Sequence, residues 1–249
     1  MSEPRHRSTY SSRAKLGLIV PPTNTVNEAE WSRIVPAGVT FHTHRMPLHP
    51  AAGTAEGRNE LLHDLDAVVG LLKQARVDVV AYACTAGSMM NPVESLPNDI
   101  AARNAIPAVT TSAAIIAALK ALGVRRLSVA TPYHDALNDH ETHFLEDNGF
   151  TVERLIGLGI GAGGPAEYPL IAQTPLETVV ATARNAFVTG SDALLITCTD
   201  FPTLPIIDAL EAEFGVPVVT SNQATLWACL RAAGIADRIN GAGRLLAQH

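Results

Sequence analysis

VDVVAYACT, residues 77–85, and DALLITCT, residues 192–199, are the two stretches that decide the fold of this chain. Each is a continuous apolar run of strand length that ends in a Cys-Thr pair. Such runs are typical of strands buried on both faces of a parallel sheet, and these sheets bind ligands at the carboxyl ends of their strands. We therefore expect Cys84 and Cys198 to lie at two such strand ends and to face one small pocket.

The segments around these stretches repeat at a nearly constant interval. Cys198 follows Cys84 by 114 residues, and Pro132 follows Pro21 by 111 residues. Predicted strands and helices alternate in both segments, which favours parallel strands joined by right-handed crossovers. The sequence thus predicts an α/β fold of two Rossmann-like halves related by a pseudo-twofold axis. Each half is a short parallel sheet flanked by helices, and the active site lies in the cleft between them.

The chain has 249 residues, enough for one large domain or two small ones. Residues 1–14 are polar and lack the apolar stretch of a secretory signal, so we predict a flexible tail there. The first α/β half is predicted at residues 15–115 and the second at residues 116–220.

Composition narrows the class of partner. The net charge of −6 gives no reason to expect nucleic acid or an anionic membrane surface. No apolar stretch reaches the roughly 18 residues that a membrane-spanning helix needs. Three cysteines are too few for a disulfide framework, so we expect a reducing, cytoplasmic setting.

The two strand-end cysteines are the candidate catalytic residues. One cysteine alone is more often a packing residue, but two at equivalent strand ends favour chemistry. Small residues follow Cys84, and their backbone N–H groups would favour a thiolate and bring its pKa towards neutrality. Cys198 precedes Asp200, whose carboxylate would raise the thiol pKa and favour a proton donor. We interpret Cys229, inside a predicted helix, as a packing residue.

Neutral hydrogen-bond donors cluster near the same predicted strand ends. Hydroxyl and amide side chains of this kind suit a carboxylate ligand, although they also occur in ordinary turns. The predicted substrate-binding residues are Asn24, Thr23, Thr85, Tyr133, Thr199 and Asn222.

Two other motifs are weaker. The pairs His42/His44 and His140/His143 have possible ligand spacing, but neither has a third ligand nearby in sequence, so we predict no metal. The stretch GIGAGG at residues 159–164 resembles a nucleotide-binding turn, but prolines interrupt the helix that should follow it. We predict a mobile flap there, and no cofactor.

Four stretches carry a resemblance to a known family: GLIVPPTNT at 17–25, VDVVAYACT, TPY at 131–133 and TCT at 197–199. They resemble the maleate cis–trans isomerase family of the aspartate/glutamate racemase superfamily, whose relatives include arylmalonate decarboxylase and hydantoin racemase. The resemblance spans residues 15–243.

The resemblance implies a role for several residues. It implies that Cys84 is the nucleophile, that Cys198 is its acid–base partner, and that Asn24 and Tyr133 bind a carboxylate. It also implies that residues 221–249 pack back on the first half and that the protein forms a homo-oligomer, a dimer or larger. One departure is that residues 161–166 lack the asparagine that these isomerases carry in the flap.

The implied function is a cofactor-independent cis–trans isomerase of a small enedioate, acting through a covalent cysteine adduct. A two-cysteine racemase of an amino acid or hydantoin is the first alternative. An arylmalonate-type decarboxylase is less favoured, because those relatives need only the second cysteine. A ligand-binding module is the non-enzyme alternative, and the paired thiols argue against it.

Overall fold

The computed structural model describes residues 5–249, which form two four-stranded parallel sheets. The first contains β1 (Ala14–Val20), β2 (Val39–Arg45), β3 (Val79–Tyr82) and β4 (Ala108–Thr110), in the order β2-β1-β3-β4. The second contains β5 (Arg126–Tyr133), β6 (Thr151–Ile160), β7 (Ala193–Ile196) and β8 (Val218–Thr220), in the order β6-β5-β7-β8. The equivalent strand orders confirm the predicted repeat of two α/β halves.

Helices flank both sheets. Those of the first half are α1 (Asn27–Ile34), α2 (Ala55–Gln74), α3 (Thr85–Ser88), α4 (Ser95–Asn104) and α5 (Thr111–Ala121). They are followed by α6 (Asp135–Asp147), α7 (Pro169–Ala172), α8 (Leu176–Ala186), α9 (Ile207–Phe214), α10 (Ser221–Ala232) and α11 (Gly243–Gln248). Within residues 5–249 none is both long and apolar enough to cross a membrane.

The Cys-Thr strands are central in their sheets. Every residue of β3 and β7 is buried, as their continuous apolar sequences predict. Each strand has neighbours on both sides, so its backbone is paired along both edges. This placement leaves only the ends of the two strands free to build a site, and in parallel sheets ligands bind at the carboxyl ends.

Helices α5 and α10 hold the halves together. They occupy equivalent positions after β4 and β8, and the Thr225 hydroxyl on α10 donates a 3.0 Å hydrogen bond to Thr111 on α5. Helix α10 also lies against α1, β3 and β4 of the first half, whereas α11 lies against α9 and β8. The C-terminal segment therefore contacts both halves. Helix α5 extends through the division predicted at residue 115, and that division stays a prediction.

The described part of the N-terminal segment is held against the first half. The Arg5 Nε lies 3.0 Å from one oxygen of Asp78, and the His6 Nε2 lies 2.8 Å from the other. Arg13 donates a 2.8 Å hydrogen bond to Asp237 near the C-terminus. Three side chains thus anchor residues 5–13, and the flexible tail predicted at residues 1–14 stays a prediction. Residues 1–4 of that tail lie outside the described residues.

Candidate active site

The carboxyl ends of β3 and β7 meet at the junction between the halves. The Thr199 hydroxyl donates a 3.1 Å hydrogen bond to the backbone oxygen of Ala83 and accepts one of 3.1 Å from the Asn24 amide. Cys84 and Cys198 adjoin these residues in the chain, and they are close enough that Cys84 contributes to the raised pKa of Cys198. Both thiols therefore lie at this junction between the halves, the predicted cleft, where they are only 6% and 9% exposed.

Cys84 caps the start of the short helix α3. Its sulfur accepts a 3.3 Å hydrogen bond from the Gly87 N–H, and the Tyr82 hydroxyl lies beside the sulfur as a second donor. Burial nevertheless raises the pKa of Cys84, and the two donors only partly offset it. The predicted shift towards neutrality is therefore wrong for this closed cleft, because desolvation of the thiolate outweighs the local amides.

Cys198 lies in a different environment. Its backbone has a φ of +88°, a left-handed conformation that is rare for a non-glycine residue and often marks a functional site. Burial raises its pKa to about 12, although the Tyr133 hydroxyl and the Asp200 N–H donate to the sulfur and oppose the rise. The Asp200 carboxylate raises the pKa as predicted, but it contributes less than burial. A thiol of this kind holds its proton at neutral pH.

The structure brings most of the predicted substrate-binding side chains to this cleft. The Asn24 amide donates a hydrogen bond to the Thr199 hydroxyl, and the Tyr133 hydroxyl donates one to the Cys198 sulfur. The Thr85 hydroxyl lies 3.0 Å from the hydroxyl of Ser221 in the other half. Thr23 is the outlying member, half-buried in the loop after β1.

Asn222 is used differently from the prediction that it binds substrate. It lies in the first turn of α10, where its amide nitrogen donates to Glu30 at 2.7 Å and to the backbone oxygen of Thr199 at 3.1 Å. Its amide oxygen accepts from Asn27 at 2.8 Å. Both N–H groups are therefore taken, and the side chain joins the two halves instead.

Sequence reasoning missed two buried carboxylates that the repeat itself could have revealed. Asn27 and Glu30 on α1 recur as Asn138 and Glu141 on α6, each 111 residues later, the interval that separates Pro21 from Pro132. Both acids point inwards and are buried. Glu30 accepts a hydrogen bond from the Leu204 N–H of the opposite half, whereas Glu141 accepts a 3.1 Å hydrogen bond from Thr197, next to Cys198.

Glu141 is expected to make stability depend on pH. Burial raises its pKa from 4.5 to about 8, although the Thr197 hydroxyl favours the ionised form. The folded protein thus keeps a proton that the unfolded chain releases near pH 4.5. The stabilisation is complete below that pH and is lost as the pH rises towards 8, at about 1.4 kcal/mol per pH unit.

Glu141→Gln removes this dependence while keeping an acceptor for Thr197. We expect the variant to match the unmodified protein near pH 4 and to exceed its free energy of unfolding by roughly 3–5 kcal/mol near pH 9. Urea unfolding at several pH values measures the difference. Parallel pH profiles for the two proteins would contradict the assignment of a bound proton.

The glycine-rich stretch predicted as a flap and the histidine His140 both make hydrogen bonds within the protein. Glu167 accepts hydrogen bonds from Gly161 N–H at 2.8 Å and Gly163 N–H at 3.1 Å, which closes the turn after β6. His140 lies 3.2 Å from the backbone oxygen of Met89. Across residues 5–249 there is no group of three or more histidine, cysteine or acidic side chains placed to hold a metal ion.

Comparison with known proteins agrees with this arrangement. The family model for arylmalonate decarboxylase matches residues 16–246. The maleate isomerase of Nocardia farcinica (strain IFM 10152) is 31% identical over 247 residues, which cover 94% of this chain and 96% of that protein. The arylmalonate decarboxylase of Bordetella bronchiseptica is 30% identical over 241 residues, covering 94% of this chain and 97% of that protein.

A solved structure gives the same relationship in three dimensions. It is a cysteine-to-serine mutant of Nocardia farcinica maleate cis–trans isomerase with a covalently bound succinylcysteine intermediate. It superposes with a TM-score of 0.83 at 28% identity, covering 95% of this chain and 99% of that one. Since both the family model and the relatives match nearly the whole length, the chain belongs to the arylmalonate decarboxylase family, alongside maleate isomerases.

Proposed function

We propose that this protein is a cofactor-independent cis–trans isomerase of a small dicarboxylate, converting a maleate-type enedioate to its trans isomer through a covalent cysteine adduct. The observation that carries the proposal is that two buried thiols with different hydrogen-bond partners lie at the junction between the halves. The Gly87 N–H and the Tyr82 hydroxyl support a thiolate at Cys84, while Cys198 holds its proton because burial raises its pKa to about 12. The succinylcysteine in the related Nocardia structure supports a covalent route.

The first step is addition. The Cys84 thiol first releases its proton to solvent, which leaves a thiolate held by the Gly87 N–H and the Tyr82 hydroxyl. This thiolate attacks one carbon of the double bond, and the electron pair of that bond moves to the other carbon and its carboxylate. Donors near the strand ends stabilise the resulting enediolate. We assign the carboxylate contacts to Asn24, Thr23, Thr85, Tyr133 and Thr199.

The second step is protonation by Cys198, whose firmly held proton suits a donor rather than a nucleophile. The adduct then has a single carbon–carbon bond and can rotate. Cys198, now a thiolate stabilised by the Tyr133 hydroxyl and the Asp200 N–H, takes a proton back. Cys84 then leaves as the double bond re-forms in the trans geometry, so protons balance over the cycle.

The alternatives differ in what they require of the two cysteines. A racemase would use both to move a proton on opposite faces of one carbon, and a decarboxylase of the arylmalonate type would use Cys198 alone. The presence of Cys84 therefore favours the isomerase over the decarboxylase, although the matched family carries the decarboxylase name.

A substrate panel tests the proposal. We expect the purified protein to convert maleate to fumarate, followed by proton NMR, and to leave arylmalonates, aspartate and hydantoins unchanged. Activity should survive dialysis against a chelator, because thiol addition needs no Lewis acid. Carbon dioxide release from an arylmalonate, or racemisation without isomerisation, would replace this proposal with one of the alternatives.

The setting follows from the same chemistry. All three cysteines are free, and two of them must stay reduced to act, which supports a cytoplasmic location. The only partner required is the small carboxylate substrate, and the net charge of −6 favours neither nucleic acid nor a membrane. The family resemblance supports a homo-oligomer, a dimer or larger.

A further inference from the structure

A buried carboxylate of the first half holds a loop of the second. Glu30 on α1 accepts hydrogen bonds from the backbone N–H groups of Thr203 at 2.6 Å and Leu204 at 2.7 Å, in the loop after β7. Its other oxygen accepts the 2.7 Å hydrogen bond from Asn222 on α10. Two donors from the second half and one from α10 therefore converge on one side chain.

The second half makes the equivalent contact with the first. Asp200, in the same loop after β7, accepts hydrogen bonds from the N–H groups of Thr25 at 2.8 Å and Val26 at 3.2 Å, at the start of α1. Each half thus supplies a carboxylate that binds backbone amides of the other. We call the pair Glu30 and Asp200 the carboxylate clasp.

The clasp holds the two segments that carry reactive groups. Asn24 immediately precedes the amides bound by Asp200, and its own amide reaches Thr199 across the cleft. On the other side, the Asp200 N–H donates to the Cys198 sulfur. A shift of either loop would move Asn24 or Cys198 relative to the substrate.

We propose that the carboxylate clasp sets the positions of Cys198 and Asn24, so that Glu30 and Asp200 are positioning residues for catalysis. The activity readouts rest on the proposed isomerase function, whereas the thiol-labelling readout does not.

The free-energy cost of burying two carboxylates indicates that the clasp does more than join the halves. Burial raises the pKa of both acids, that of Asp200 to about 6, so keeping either one ionised is unfavourable. One oxygen of Asp200 is buried without any hydrogen-bond partner. Apolar packing joins surfaces more cheaply than buried carboxylates do, and the halves already share a core through α5 and α10. What carboxylates add is a fixed geometry at the amides they bind.

Glu30→Gln tests the proposal with a change of two atoms. The glutamine oxygen can still accept from Thr203 and Leu204, but its N–H₂ group faces the N–H₂ group of Asn222. We expect kcat to fall roughly 10–100-fold with little change in KM, because the substrate still binds but the proton donor Cys198 is misplaced. We also expect Cys198, mapped by mass spectrometry after brief alkylation, to be labelled several-fold faster.

A rescue variant separates positioning from general damage. In Glu30→Gln/Asn222→Asp the new aspartate can accept from both the glutamine at position 30 and Asn27, and in its protonated form it can also donate to the Thr199 backbone oxygen, as the Asn222 amide does. We expect the double variant to recover at least half of the lost kcat on a logarithmic scale and to slow Cys198 labelling again.

Glu211→Gln is the matched control. Glu211 is also buried and accepts backbone N–H groups, those of Val218 and Arg244, but all three residues lie outside the cleft in the second half and the C-terminal segment. It should lose stability without altering kcat or Cys198 labelling. Equal Cys198 labelling rates in Glu30→Gln and the unmodified protein would overturn the clasp. Absence of isomerase activity in the unmodified protein would overturn the function alone, since labelling still reports on the clasp.

Discussion

Replacing Cys84 by serine is expected to lower kcat for isomerisation by roughly 10⁴-fold or more and to abolish any covalent adduct. The Gly87 N–H and the Tyr82 hydroxyl stabilise an anionic sulfur, but neither is a base that could deprotonate a serine hydroxyl. Serine therefore has the right shape but cannot become a nucleophile in this site. Steady-state rates and intact mass after incubation with maleate measure both effects.

Cys198→Ser should behave differently. Its loss removes the proton donor, which costs roughly 10²–10⁴-fold in turnover. Addition at Cys84 is still available, so we expect an adduct of one dicarboxylate mass to accumulate on Cys84. The related Nocardia isomerase holds a succinylcysteine intermediate in a cysteine-to-serine mutant, as expected if its remaining thiol adds to substrate.

The third cysteine supplies the control. Cys229 is buried in α10, and burial alone raises its pKa, so Cys229→Ser should leave the kinetics unchanged. Mild alkylation should label Cys84 before Cys198, and a dicarboxylate ligand should protect it. An adduct on Cys198 in the unmodified protein, with Cys84 free, would reverse the assigned roles and favour decarboxylase-like chemistry.

Gly87→Ala is expected to reduce kcat/KM by roughly 10²-fold while the protein stays folded. A Cβ at this position would lie 2.5 Å from the Tyr82 hydroxyl and 3.0 Å from the Cys84 sulfur, so both groups must move. Gly87 has no left-handed backbone and lies within α3, where alanine is otherwise a better helix former. The loss should therefore appear in the rate and in the pH dependence of Cys84 alkylation rather than in stability.

Tyr82→Phe distinguishes the clash between the new Cβ and the Tyr82 hydroxyl from the loss of that hydroxyl as a hydrogen-bond donor to Cys84. The single variant removes the hydroxyl that assists the Cys84 thiolate, and alkylation of Cys84 should then need a higher pH. In Tyr82→Phe/Gly87→Ala the nearest clash is also gone, so the two losses should combine to less than their sum. If the losses of the two single variants were additive, the effect of Gly87→Ala would not act through the Tyr82 hydroxyl.

Much of the architecture can be predicted from local sequence. Strands β3 and β7 are recognisable because a strand buried on both faces has to be apolar throughout. The repeat is recognisable because equivalent strands and turns recur at intervals of 110 to 114 residues, as between Pro107 and Pro217 or Cys84 and Cys198. Parallel pairing then fixes which strand ends carry the site, since ligands bind at the carboxyl edge.

The electrostatics of the site cannot be predicted in the same way. The residues after Cys84 suggest a lowered pKa, and one of their amides does reach the sulfur. The pKa is raised all the same, because it depends on how completely both halves bury the thiol, and no local pattern reports that.

The sequence by itself determined the two α/β halves, the strand ends that carry the cysteines and the hydroxyl-rich loops beside them, because burial and turn chemistry act on neighbouring residues. Only the tertiary structure decided that Asn222 joins the halves, that Tyr82 assists Cys84 and that Glu30 binds the loop of Cys198. Glu30 and Thr203 are 173 residues apart. Contacts of that range exist only once the two halves have packed, so their partners are set by the shape of the cleft.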